Sequence, residues 1–396
     1  MTPLERRSSV SLATLFALRM LGLFLVLPVF ALEAARYPGG DDPARVGLAM
    51  GIYGLTQALL QIPFGLASDR LGRKRVILFG LLLFAAGSFV AAAAATLQTL
   101  MLGRALQGSG AISAAVTALL ADQTRDEVRT KAMALVGGSI GLVFALSLVL
   151  APAMAAAVGL NGLFAVTGLL ALIGLALIHW WVPAEPAVNR ATPRGSLLMV
   201  MRRPALLRLN LGVFMLHAVQ LAMWVAVPGM LVQAGLEKAH HWWVYLPAVL
   251  GSFAVMGAVF ALERRGHLRG VFLVAIGTIA AVELGLWWAS EAPTVIVLAA
   301  LLFVFFCGFN VLEATQPSLV SRLAPKYSRG AALGVYNTLQ SLGFFVGGAA
   351  GGWLSKHLGL GVLFTSCAAV MALWLWTAWP MQVPARHAAA TPSQAA

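Results

Sequence analysis

Residues 64–75 read FGLASDRLGRKR, and five of the seven positions from 69 to 75 are charged: Asp69, Arg70, Arg73, Lys74 and Arg75. Only 10% of the 396 residues are Asp, Glu, Lys or Arg, so the cluster is conspicuous. It sits between apolar runs of about 20 residues, the helix length that crosses about 30 Å of hydrocarbon. The chain is 60% hydrophobic, with a mean hydropathy of +0.87, against about 45–50% apolar residues in soluble domains. Such a composition does not clothe a soluble surface. It fits a chain that crosses a bilayer many times, and in lipid the spans are helices or a closed barrel. The apolar runs do not alternate with period two, which excludes the barrel.

Working outward from residue 64, the sequence predicts twelve helices. They cover roughly 11–33, 46–68, 76–96, 99–121, 130–157, 161–182, 206–233, 242–262, 270–289, 293–320, 330–355 and 360–380. The first run contains Arg19 and exceeds the usual 7–15-residue apolar core of a signal peptide, so it is expected to be a retained span. Lys and Arg orient the chain. Of 27, 21 fall on one side; Arg36, Arg45, Lys238 and Lys356 fall on the other, and Arg19 and Arg104 lie within spans. Both termini are therefore expected in the cytoplasm, and residues 69–75 form a short cytoplasmic loop.

Several function classes drop out. The net charge of +13 is spread over short loops and makes no basic stripe, so no nucleic-acid partner is expected. Cys307 and Cys367 lie in apolar runs without metal-ligand spacing. Met215, Met223 and Trp224 near His217 lack the pairing of a soft-metal path, and no metal is expected. There is no phosphate-binding loop or nucleophile constellation, so an enzyme is not expected.

The halves echo each other weakly. SDRLGRKRV after span two matches LERRGHLRGV at 262–271, and RTKAMALVGG opening span five matches RGAALGVYNT opening span eleven. Six spans plus six with matching loops fit parallel repeats about an axis normal to the membrane. The expected divisions are a bundle over 1–183, a cytoplasmic linker over 184–205, a second bundle over 206–382 and a cytoplasmic tail over 383–396. Within the linker SLLMVMRR, 196–203, is either a short interfacial helix or unstructured chain.

On these residues the sequence resembles the major facilitator superfamily. Its loop between spans two and three reads Gly-x3-Asp-Arg-x-Gly-Arg followed by two basic residues, and Gly65, Asp69, Arg70, Gly72, Arg73, Lys74 and Arg75 fill it. LGRALQGSGA, 102–111, resembles the family's intramembrane arginine followed by Gln-Gly-x-Gly. GGSIGLVFALSLVLAPAM, 137–154, is similar to the antiporter motif of span five, with alanine at Ala151, Ala155 and Ala156 where the family has glycine. Over nearly the whole chain the sequence is similar to the YajR-type transporters of the proton-driven drug antiporter branch. Those proteins carry a small soluble domain after span twelve, whose role is not carried over to this chain. The resemblance implies an all-α integral membrane fold of two pseudo-symmetric six-helix bundles in a bacterial inner membrane. It implies a secondary transporter working by alternating access, with a proton gradient in place of a cofactor. The expected partners are a small amphipathic organic substrate, protons and lipid, and a monomer is expected. A metabolite symporter or uniporter is the alternative within transport; a non-transporting receptor or scaffold is the alternative outside it.

Particular residues carry these expectations. Asp69 ends span two, where helix carbonyls disfavour an acid, and Arg73 can pair with it across the turn at Gly72. The resemblance adds Asp122, with Arg70 and Lys74 in the same loop. It implies a latch docked on the N-terminus of span eleven, with Gly65 letting spans two and eleven approach; a static loop staple is the plainer reading. Arg104 is an intramembrane charge that either serves function or snorkels to the interface. Glu313 in span ten is the leading proton carrier, with Arg19 at similar depth as its expected partner, either in coupling or as a permanent ion pair. Glu283 and His217 are further proton candidates, each with a purely structural alternative. Tyr53, Gln57 and Gln61 share a face of span two. With Gln107, Asn310, Tyr336, Asn337 and Gln340 they either line a cavity or bond helices together.

Overall fold

The computed structural model describes residues 1–185, 200–325 and 328–381. The tail at 383–396 and the first half of the stretch 196–203 lie outside the described residues. The fold is twelve spans in two six-helix bundles.

The first bundle holds span one (Pro3–Val26), a short helix (Phe30–Ala34), span two (Pro43–Leu71), span three (Arg73–Ala92) and a divided span four (Leu97–Gly108 and Ser113–Asp122). Spans five and six form one helical run, Asp126–Ala176, broken at Gly159 and ending in the π-turn Leu177–Trp181. The second bundle holds span seven (Pro204–Gln233), eight (Trp242–Arg264), nine (Leu268–Ala289), ten (Val295–Leu323), eleven (Arg329–His357) and twelve (Gly359–Ala378). Local chemistry fixes many ends. Thr2 and Glu5 make a reciprocal capping box, and Asp42 accepts from the Ala44 amide just before Pro43. Thr96 and Thr294 cap spans four and ten in the same manner.

Two expected boundaries change. Span four is not one helix over 99–121. It breaks after Gly108, where Gly110 packs so closely on span three that a Cβ would lie 2.3 Å from the Gly80 carbonyl oxygen. Spans five and six run together because Gly159, at φ 66° and ψ −176°, turns the chain without interrupting the helical run. Nine helices among the described residues are individually long and apolar enough to cross a membrane, and one of these, Lys131–Trp181, is two spans. The remaining two are span four, in halves too short, and span eleven, diluted by the glycines of GFFVGGAAGG, 343–352.

Exposed tryptophans mark two levels of the molecule. Trp180, Trp181, Trp376 and Trp379 ring the face that carries the termini, and Trp243, Trp287, Trp288 and Trp353 ring the opposite face. This is the distribution of membrane–water interface belts.

The bundles meet on the face opposite the termini and part toward the terminus face. At the closed end spans two and eleven form a seam of glycines. A Cβ on Gly47 would lie 2.2 Å from the Gly348 carbonyl oxygen, and one on Gly54 would lie 2.4 Å from that of Ser341. Span eleven also presses Gly343 and Gly347 against the Phe214 and Ala218 carbonyls of span seven. Two ion pairs cross between bundles there: Lys238 with Glu33, and Lys356 with Asp42 at 2.7 Å. Phe144 of span five also meets Phe306 of span ten, ring centroids 5.9 Å apart. Toward the terminus face the described contacts thin to one between span eleven and the second half of span four. A Cβ on Gly65 would meet only Ala114 of span four, and one on Gly138, Gly141, Gly330 or Gly334 would meet nothing within 4 Å.

Candidate transport cavity and its charged residues

The loop residues quoted first come together. Span two ends at Leu71, and Gly72, at φ 99°, turns the chain straight into span three. The turn brings Arg73 back over span two, where it pairs with Asp69, reaches Asp122 of span four at 3.1 Å and donates to Ser68 Oγ at 2.8 Å. One guanidinium thus neutralises two carboxylates that would otherwise repel. Glu185 completes the corner: its carboxylate accepts from the Arg73 amide at 2.7 Å and the Lys74 amide at 3.2 Å, at the positive end of span three. Lys74 donates to the Val182 carbonyl, and a Cβ on Gly72 would strike Glu185. Arg70 is exposed at the end of span two, and no side-chain bond from it is among those described.

The expected docking on span eleven is not present in this conformation. The network stays within the first bundle, and no ion pair or hydrogen bond among the described residues joins Asp69 to span eleven. Gly65 faces Ala114, not span eleven. The bundles part on this face, and the Asp69–Arg73–Asp122 network is assembled within the first bundle.

Glu313 also finds a different partner. Its Oε1 lies 3.2 Å from His217 Nε2, whereas Arg19 belongs to a separate cluster. Arg19 donates to Ser113 Oγ, Tyr53 Oη and the Gly110 carbonyl, each at 3.1 Å, and lies over the Phe84 ring. The expected Arg19–Glu313 pair is therefore corrected. The two residues share a depth, but their helices lie in different bundles, and the break in span four offers Arg19 a carbonyl of its own.

The histidine has three neighbours. Nδ1 is 2.9 Å from the Val213 carbonyl oxygen, so Nδ1 carries a proton and donates it. Nε2 then faces both Glu313 and the Gln340 amide nitrogen at 2.8 Å. In the neutral ring Nε2 is an acceptor; it takes the Gln340 N–H but opposes its lone pair to an ionised Glu313. The arrangement is favourable when a proton sits between Glu313 and His217. Three spans of the second bundle, seven, ten and eleven, thus meet at one acid–imidazole pair, and Phe344 and Phe309 pack edge-on to the imidazole at 4.8 and 6.0 Å.

Arg104 is buried on span four. It donates to Gln107 Oε1 at 2.7 Å and the Met50 carbonyl at 3.3 Å, and its guanidinium lies 4.8 Å from the Tyr53 ring centroid and 5.8 Å from that of Phe30. Burial excludes the snorkelling alternative. Arg104 and Tyr53 border an apolar cavity between the bundles, with Phe24, Phe30, Leu221 and Phe344 among its walls.

The other polar candidates scatter. Gln107 does not line a cavity: it is fully buried, clamping Arg104 and donating to Ser88 Oγ at 2.9 Å. Asn310 donates to Ser252 across spans ten and eight at 2.8 Å. Gln57 Oε1, both amide ends of Gln61 and the Tyr336 hydroxyl are buried without a partner. Asn337 is half-buried on span eleven. Glu283 is fully buried on span nine with neither oxygen hydrogen-bonded, apart from the Glu313 pair. Among the described residues no group of three His, Cys, Asp or Glu is placed to hold a metal ion.

Sequence reasoning passed over Glu185, Ser68 and the crossing pairs Glu33–Lys238 and Asp42–Lys356. The crossing pairs had a signal: the opposite face holds few cations, and two of them, Lys238 and Lys356, pair with acids of the other bundle.

Comparison with known proteins agrees with this architecture. The chain is 44% identical over 389 residues to the inner membrane transport protein YajR of Escherichia coli, covering 97% of this chain and 85% of that one. It is 28% identical to the multidrug resistance protein MdtH of Aeromonas hydrophila, covering 85% of each. Among solved structures, the D-xylose–proton symporter superposes with a TM-score of 0.75 at 17% identity, over 95% of this chain and 98% of that one, and attests the fold alone. The sequence profile of the Major Facilitator Superfamily matches residues 12–348 and 264–396. With twelve spans in two bundles, the loop motif folded around Gly72 and these matches together, the chain is a multi-pass inner-membrane transporter and belongs to the major facilitator superfamily.

Proposed function

We propose that this transporter is a proton-coupled antiporter that exports small amphipathic organic compounds by alternating access, with both termini in the cytoplasm. The observation that carries the reading is the Glu313–His217–Gln340 cluster. It holds an acid and an imidazole 3.2 Å apart within the membrane and ties them to span eleven, the helix that forms the seam with span two. The basic-residue bias makes the terminus face cytoplasmic, so the parted bundles correspond to an inward-facing state. A proton arriving at the pair favours the His217–Glu313 contact and a proton leaving it favours the His217–Gln340 bond. The proton count thereby biases where span eleven rests. The Asp69–Arg73–Asp122 network is the cytoplasmic latch of the opposite state, engaged when the bundles close on that face. Substrate recognised in the apolar cavity between bundles is in position to feel the exchange.

The test is purified protein in liposomes with a pH-sensitive dye inside, a proton gradient imposed, and a panel of amphipathic compounds added. Compound-dependent proton flux, lost in Glu313→Gln, is the expected result. Flux unchanged in that variant overturns the proton assignment. Compound movement without proton flux in the parent protein points to a uniporter.

A further inference from the structure

Two arginines lie in the first bundle without a carboxylate. Arg19 is 2% exposed and Arg104 is 5% exposed. Every acceptor described for either is neutral: a hydroxyl, an amide or a backbone carbonyl. The Nε of each has no partner. They flank a single side chain, Tyr53, Arg19 bonding its hydroxyl and Arg104 lying over its ring. A charge removed from water is costly unless it is paired, and neutral acceptors recover only part of that cost. Two such charges about one tyrosine leave a region of positive potential with no resident anion.

Only one of the two borders open space. The Arg19 guanidinium is enclosed by Ser113, Tyr53, Gly110 and Phe84. Arg104 stands at the cavity whose walls include Phe24 of span one, Leu221 of span seven and Phe344 of span eleven. Both bundles contribute, so an occupant would touch each. The walls are aliphatic and aromatic and include no acid; Glu313 lies beside His217 and Glu283 is shut away on span nine. A cationic guest would meet a guanidinium and no counter-charge.

We propose that the transported compound is an amphipathic organic anion, its acidic group paired with Arg104 and its apolar body resting on Phe24, Phe30 and Phe344. Arg19 strengthens the positive potential from behind Tyr53. The inference rests on the transport reading above and names the class of substrate for it. An inside-negative membrane potential drives an anion outward and a proton inward, so the two movements draw on the same field.

Three probes sharing one apolar body separate the possibilities: 2-naphthylacetate, 2-naphthylethanol and 2-naphthylethylammonium. Their binding to the full-length purified protein is measured by titration calorimetry. The carboxylate is expected to bind at least about tenfold more tightly than either other probe. Arg104→Gln is expected to erase that preference. Arg104→Lys is expected to keep part of it, since the ammonium retains the charge and loses the fork. The preference is a ratio read within one preparation, so a partly folded variant does not imitate the result. Equal binding of carboxylate and ammonium, an unchanged preference in Arg104→Gln, or no binding of any probe overturns the proposal. Carboxylate binding without proton flux in liposomes overturns antiport and leaves this site standing. Proton flux driven by the ammonium probe and untouched by Arg104→Gln does the reverse.

Discussion

At His217 the Val213 carbonyl commits Nδ1–H and leaves Nε2 free to face Glu313 and Gln340 together. Glu313→Gln keeps the shape and the hydrogen-bonding capacity but removes the exchangeable charge; it is expected to lower compound-driven proton flux about 100-fold in liposomes. His217→Gln leaves Glu313 without its proton partner. The expected outcome is residual flux whose dependence on pH follows a single group instead of a pair, read by repeating the assay from pH 5 to 9. The sequence disclosed that Glu313 and Arg19 lie inside spans and at which depth. It did not disclose their partners, because depth follows from position along a helix, whereas partnership depends on how helices are rotated and which bundle they join. Arg104 illustrates the converse. Its motif placed it correctly, and the structure adds that Gln107, three residues on, is its clamp.

Among the elements, spans two and eleven were legible as helices and illegible as a pair. GFFVGGAAGG reads as a weak apolar segment until the seam explains its glycines: each stands where another backbone comes within contact distance. Gly47→Val places a branched side chain against the Gly348 carbonyl. The expected result is a protein that no longer closes on the face opposite the termini, measured as increased labelling of a cysteine introduced at Leu221 by an impermeant thiol reagent added from that face. The broken span four was likewise hidden, because helix propensity is local and the close approach to Gly80 is not. The charged loop was the most legible element. Gly72 requires its left-handed backbone, and Arg73 needs both acids. Arg73→Ala leaves Asp69 and Asp122 facing each other without a cation; each exposed pair contributes about 0.2–1 kcal/mol. A fall in thermal midpoint of a few degrees, together with slower return of the cytoplasmic face to its closed state in single-molecule distance measurements, is expected.

For the whole molecule the ion pairs Glu33–Lys238 and Asp42–Lys356 close one end while no ion pair described crosses the other. Lys356 beside Asp42 holds the carboxyl below its usual value of 3.8. A depressed carboxylate stabilises the paired state above its ordinary pKa, and that contribution fades as pH falls through the lowered value. The Asp42–Lys356 contribution to the seal is therefore expected to be insensitive to pH between about 5 and 8. Spin-label distances across that face should stay constant over this range. Lys238→Gln with Lys356→Gln removes both crossing pairs. The population should shift toward the state open on that face, and the same distances should broaden. Twelve spans could be read from hydropathy, since lipid imposes their length. Which end is closed could not, because the alternatives differ only in contacts between bundles.

The glycine seam has one more consequence, an entropic one. Interlocked side chains lose rotamer freedom when two helices meet, and that loss is about 0.5–1 kcal/mol for each leucine or isoleucine. Gly47, Gly51, Gly348 and Gly352 have no side chains to freeze. Spans two and eleven therefore come together and separate with almost no change in side-chain disorder, and no rotamer has to turn before they part. The seam's share in the opening of that end should consequently depend only weakly on temperature through conformational entropy.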